Sequence, residues 1–106
     1  HNYGKYEHQK KDIAEFQSFN RPVICTEYLA RTYGSTFETS LPLMKQENVG
    51  AINWGFVFGK TQTVYPWNTP MNAPVPEVWH HDILYKDGKP FDPEEVELIK
   101  ELTGKD

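Results

Sequence analysis

The chain has one cysteine, Cys25, so no disulfide can close within it, and that thiol sits where a buried strand residue would. It has no block of lysine and arginine, and the net charge is −4. A nucleic-acid partner is therefore not expected, because phosphates need clustered cations. No apolar run approaches membrane-spanning length, so no membrane partner is expected either. No glycine-rich phosphate cradle and no internal repeat are visible. There is no initiator methionine and no signal peptide, and the chain starts abruptly at His1. We expect it to be a piece of something larger, which makes the missing signal uninformative. Aromatic residues are plentiful at 14%, Trp54, Trp67 and Trp79 among them, which excludes a disordered segment. The length of 106 residues suffices for one modest domain with a small core.

The most informative stretch is residues 21–28. Pro22 suits a strand start, because it removes a ladder donor. Val23, Ile24, Cys25 and Thr26 continue as a β-branched and apolar run. In a strand, side chains alternate, so Val23, Cys25 and Glu27 are expected on one face and Ile24, Thr26 and Tyr28 on the other. A run buried on both faces is typical of a parallel strand under helices, which lifts its last residue to the carboxyl-end rim. Glu27 at that rim has a chemical reading and a plain one, a solvated or ion-paired strand-end carboxylate.

The rest of the chain gives helix, strand, helix, strand, long loop, helix. Residues 5–18 form a wet helix with a narrow stripe of Tyr6, Ile13 and Phe16. Ser35 and Glu38 stand in capping-box spacing before a helix that reaches about Glu47. Pro42 either kinks that helix or sits in the first turn of one starting near Ser40. Residues 51–58 form the second strand. Residues 59–78 hold four prolines and are expected as an ordered wall or lid, with Tyr65 and Trp67 in it. Asp87-Gly88 marks a tight turn. Asp92-Pro93-Glu94-Glu95 starts a last helix that buries Val96, Leu98, Ile99 and Leu102 and ends at Gly104. This order is α/β with parallel strands and right-handed crossovers.

Three groups gather at the expected rim: His1-Asn2-Tyr3 before the first helix, Glu27 ending one strand, and Trp54 near the end of the next. In that order and spacing the chain resembles the last third of a clan A retaining glycoside hydrolase, most like the family 5 cellulase and xylanase group. His1-Asn2-Tyr3 resembles the end of strand six. Ile24-Cys25-Thr26-Glu27-Tyr28 resembles strand seven, and Gly50-Ala51-Ile52-Asn53-Trp54-Gly55 resembles strand eight. The tail from Val78 to Pro90 resembles the closing segment of bacterial 1,4-β-xylanases or cellulases.

The resemblance implies a C-terminal fragment of a TIM (β/α)8 barrel, from the end of strand six to helix eight, with residues 1–106 as a partial catalytic domain. It implies a β-1,4-linked substrate, xylan or a β-glucan, a secreted or periplasmic setting and no cofactor. Retaining hydrolysis needs two carboxylates about 5–5.5 Å apart. Glu27 would be the nucleophile and Tyr3 its hydrogen-bond donor. His1, Asn53, Trp54 and Trp67 would bind substrate, with Trp54 as a stacking platform. For Asn53 the alternative is satisfying local backbone, and for Trp67 it is stapling the long loop.

The partner acid, expected on an Asn-Glu pair at strand four, is not in this chain, so the chain alone should not hydrolyse glycosides. The remainder of the barrel, as further residues, another chain or a second copy, is the expected partner. The rival readings are a non-catalytic carbohydrate-binding or scaffold barrel, and a small α/β domain with a structural Glu27. His80-His81 is not expected to hold metal, since strand neighbours point apart and further ligands are lacking. Trp79 is expected in packing, and Arg31 and Lys60 as solvated rim charges.

Overall fold

In a computed structural model that describes residues 1–105, the first helix, α1, runs Tyr6–Gln17. Its inward face carries Gln9 and Ile13, one helical turn apart. The expected apolar stripe holds at Ile13 alone, because Tyr6 and Phe16 are exposed. Gln9 takes the inner place because its amide has work there. Its Nε2 donates to the Asn2 carbonyl at 3.1 Å and to Ser35 Oγ at 3.2 Å, tying the chain start to the residues just before the second helix.

β1 (Ile24–Cys25) and β2 (Gly50–Ala51) form a parallel pair with Ile24 opposite Gly50 and Cys25 opposite Ala51. The ladder extends beyond these short strands. Gly50 N donates to Val23 O at 3.0 Å and Ile52 N to Cys25 O at 2.9 Å, but Trp54 N then reaches Tyr28 O at 2.8 Å. Three residues on the first strand thus face two on the second, which is a bulge. Burial alternates from Val23 through Glu27, with Ile24 and Thr26 exposed between. The alternation breaks at Tyr28, which is buried rather than exposed with Ile24 and Thr26. The Glu27 carbonyl accepts the Asn2 amide at 2.9 Å, so the start of the chain pairs along the outer edge of β1.

α2 (Phe37–Gln46) lies on β2, with α1 and α3 (Pro93–Thr103) against it. Together they cover one face of the pair, and the core of Ile13, Tyr28, Leu29, Phe37, Leu43, Met44, Val49 and Ile83 fills the space between. The other face is bare: Ile24 is 62% exposed and Ile52 56%, with Trp54 and Phe56 also exposed. Burial on both faces, expected from the apolar run, is therefore not found, because every helix packs on the same side.

Two helix starts show how local chemistry decides boundaries. The capping box before α2 is Thr36 with Thr39, one residue later than the Ser35–Glu38 spacing suggests. Ser35 is unavailable for capping because its buried hydroxyl serves Leu29 N and Gln9. The helix runs through Pro42 rather than starting near Ser40. α3 begins as expected, with Asp92 Oδ1 accepting from Glu94 N, Pro93 in the first turn and left-handed Gly104 at the end. Between β2 and α3, residues 59–78 hold no helix or strand. Val57 bridges in parallel to Leu84, and Leu84 pairs antiparallel with Pro90 around the Asp87-Gly88 turn, where Gly88 has φ +84°. No described helix is long and apolar enough to cross a membrane.

Candidate functional site

Glu27 lies within the bulge, half-buried just past the carboxyl end of β1. The Tyr3 hydroxyl donates to its Oε2 at 2.6 Å, and His1 Nδ1 lies 3.0 Å from the same oxygen. Burial, and then the bond to Glu27, push the Tyr3 phenol well above its ordinary pKa, so it remains a donor. The Cys25 thiol donates to the Glu27 carbonyl at 3.2 Å, and burial raises its pKa, so it remains a thiol. Among the described residues nothing bonds Glu27 Oε1. The result is a carboxylate with one oxygen anchored and one free.

Tyr3 also links Glu27 to a cavity of about 680 Å³ under the long loop. Glu27 does not itself line it. The Tyr3 ring meets Trp67 edge-on at 5.0 Å, and Trp67 forms the cavity wall with Trp54, Tyr65 and His81. Trp67 is packed by Tyr33 in a stack at 5.1 Å and by His80 edge-on at 4.4 Å, while staying 45% exposed. It staples the loop, which is the packing alternative, and it also lines the cavity. Trp54, equally exposed, offers a flat face on the bare side of the sheet. Asn53 takes the backbone alternative: its Nδ2 donates to Gly55 O at 2.7 Å. His1, Tyr3 and Glu27 are brought together, Trp67 adjoins Tyr3, Trp54 shares the cavity with Trp67, and Asn53 is turned to its own backbone.

The segment 79–82 departs most from the sequence reading. Trp79 is core as expected, stacked on Phe91 at 4.6 Å. His80 and His81 do not point to opposite faces. They lie outside any strand, both rings are buried, and their centroids are 4.4 Å apart. His80 Nδ1 lies 2.7 Å from Thr32 Oγ1, and its Nε2 is buried without a partner. Burial, with help from His81 and Arg31, lowers the His80 pKa to about 4. His81 Nδ1 bonds the carbonyl of Leu29, which is held at φ +81°, and burial lowers its pKa as well.

Arg31 is not a solvated rim charge. It is buried, donates to Trp79 O at 3.2 Å, His81 O at 2.8 Å and Asp82 O at 2.8 Å, and grips both oxygens of buried Glu95 at 2.8 and 2.6 Å. One guanidinium thus straps residues 79–82 to α3. Lys60 is exposed, as expected. Gly55, at φ +89°, is where the strap touches the sheet: a Cβ there would stand 2.5 Å from Asp82 N. Glu38, Asp92 and Glu95 cluster within 4.8 Å, but Arg31 already occupies Glu95.

Comparison with protein-family models, curated proteins and solved structures finds no match to this chain. The reading of the site therefore rests on its geometry and chemistry. The signal for Arg31 and His81 was weak in sequence, since their partners are distant in the chain.

Proposed function

We propose that this chain is the C-terminal part of a retaining glycoside hydrolase of the (β/α)8 type, acting on a β-1,4-linked xylan or β-glucan. One contact carries the reading: the Tyr3 phenol on Glu27 at 2.6 Å, with His1 on the same oxygen. A nucleophilic carboxylate must be ionised and aimed. The phenol fixes Oε2, which leaves Oε1 to attack the anomeric carbon. Exposed Trp67, which meets Tyr3 edge-on, and Trp54, which shares the cavity with it, give apolar faces suited to the C–H faces of pyranose rings. The bare sheet face with its apolar residues suits a sheet that continues in further strands, the expected remainder of the barrel.

Double displacement then runs in two steps. Glu27 Oε1 bonds the anomeric carbon as the bond to the leaving oxygen breaks. Water afterwards displaces Glu27 and restores the sugar hydroxyl. In an ordinary substrate the leaving oxygen needs a proton from a second carboxylic acid. The Asn-Glu pair expected to carry that acid is not in this chain, so the isolated chain is expected to leave oligosaccharides intact.

A substrate whose leaving group needs no proton isolates the first step. With a 2,4-dinitrophenyl 2-deoxy-2-fluoro-β-xylobioside or cellobioside, dinitrophenolate departs unaided and the fluorine slows hydrolysis. Mass spectrometry is expected to find one glycosyl unit on the peptide holding Glu27, and none in Glu27→Gln. A wild-type chain that takes no label, or takes it elsewhere, refutes the nucleophile. Retained oligosaccharide binding without label would favour the non-catalytic carbohydrate-binding barrel, whose support here is the same pair of exposed tryptophans.

A further inference from the structure

The cavity has no charged wall. Its polar lining comes from neutral groups such as Gln62, Thr63, Asn68 and Asn72, its apolar lining from Trp54 and Trp67, and its one titratable base is His81. His81 is only 2% exposed, yet it borders this space. Its tautomer is set by the protein. The Leu29 carbonyl can only accept, so Nδ1 carries the hydrogen that it receives. Nε2 is then a bare acceptor, and among the described residues it has no partner. The two faces of its surroundings agree with this. The strap holds the His81 backbone through Arg31 on its carbonyl and through the Thr63 carbonyl on its amide at 3.1 Å. The backbone that carries the ring is thus held at its carbonyl and its amide, and the Nδ1 bond to Leu29 O orients the ring itself.

We propose that His81 is a ligand-binding residue of this cavity, accepting at Nε2 a hydrogen bond from a hydroxyl of an uncharged sugar unit. The inference deepens the glycoside reading and rests on it. The ligand class follows from the lining. A metal would need further nitrogen, sulfur or carboxylate donors, and no other His, Cys, Asp or Glu borders the space. A phosphate or a uronate would need a cation, and no Lys or Arg does so either. An amphipathic neutral ligand with hydroxyl donors and apolar faces matches what remains: Nε2 takes a hydroxyl hydrogen, side-chain amides take the other hydroxyls, and the indoles take the C–H faces. Arg31 is a positioning residue for His81, since it acts on the ligand only through the backbone that carries the imidazole.

The test separates the two nitrogens. In His81→Asn the amide nitrogen replaces Nδ1 and can keep the Leu29 bond, while nothing replaces Nε2. Titration of the chain with xylohexaose and cellohexaose, followed by tryptophan fluorescence, is expected to show binding about tenfold weaker in His81→Asn, the scale of one lost hydrogen bond at a desolvated acceptor. Hexagalacturonate is expected not to bind either protein. Independently of any variant, nitrogen-15 NMR of the wild type is expected to show His81 Nε2 unprotonated and shifted on adding the preferred hexaose. Equal binding by His81→Asn, or a protonated or unresponsive Nε2, overturns the role of His81 and leaves the glycoside reading standing. Failure of the wild type to bind either hexaose overturns both.

Discussion

At the scale of single residues, His80 sets how the molecule meets acid. Its ring is sealed among Thr32, Tyr33, Trp67 and His81, with Arg31 adding positive charge. The folded pKa is about 4 against 6.5 for the free side chain, so the unfolded chain binds more protons between those values. Stability is then fully present above about pH 6.5 and falls as pH drops towards 4. Thermal melts across that window are expected to show a declining midpoint in the wild type and a flatter profile in His80→Gln. An equally steep profile in the variant would assign the loss elsewhere, His81 being the next candidate since its pKa is lowered too. Residues whose chemistry announces itself were legible in the sequence: Tyr3, Glu27 and Trp67 carry the groups that a site needs, and they do adjoin. His81 was passed over because its value depends on the Leu29 carbonyl fixing its tautomer, a contact between distant parts of the chain.

At the scale of elements, the Arg31 strap is the main joint. The turn Arg31–Tyr33, the segment 79–82 and α3 meet on one guanidinium, which also lies 4.9 Å over the Phe91 ring. Both side chains of the pair are nearly sealed, at 6% and 4% exposure. Removing one partner strands the other charge, so Arg31→Met is expected to cost about 3–5 kcal/mol in urea unfolding. Adding Glu95→Leu is expected to return a large part of that, since it removes the stranded carboxylate. No recovery in the double variant would mean that the carbonyl contacts, not the ion pair, hold the joint. Elements with local signals were read correctly: α3 through its Asp92-Pro93 start and Gly104 stop, the Asp87-Gly88 turn, and parallel pairing through the α/β order. The bulge after Cys25 was not, because nothing in residues 23–28 marks an extra residue, and the capping box moved because Ser35 was already engaged.

At the scale of the whole molecule, the uneven clothing of the sheet matters most. Helices cover one side, and Ile24, Ile52, Trp54 and Phe56 stand open on the other. Exposed apolar side chains gathered on one face favour association with another body. Sedimentation velocity over a concentration series is expected to show self-association of the isolated chain, and the pair Ile24→Thr with Ile52→Thr is expected to reduce it. A wild-type chain that stays monomeric at every concentration would favour a small independent α/β domain over part of a larger barrel.

The ring of aromatic neighbours around Trp67 has one more consequence. An indole gripped by Tyr3, Tyr33, His80 and His81 sits in a fixed, handed surrounding, so it should give a near-ultraviolet dichroic band of its own. Detachment of the 59–78 segment would erase that band while the backbone signal of the helices persisted. The segment therefore comes with a built-in optical gauge, which needs no dye and no labelled position.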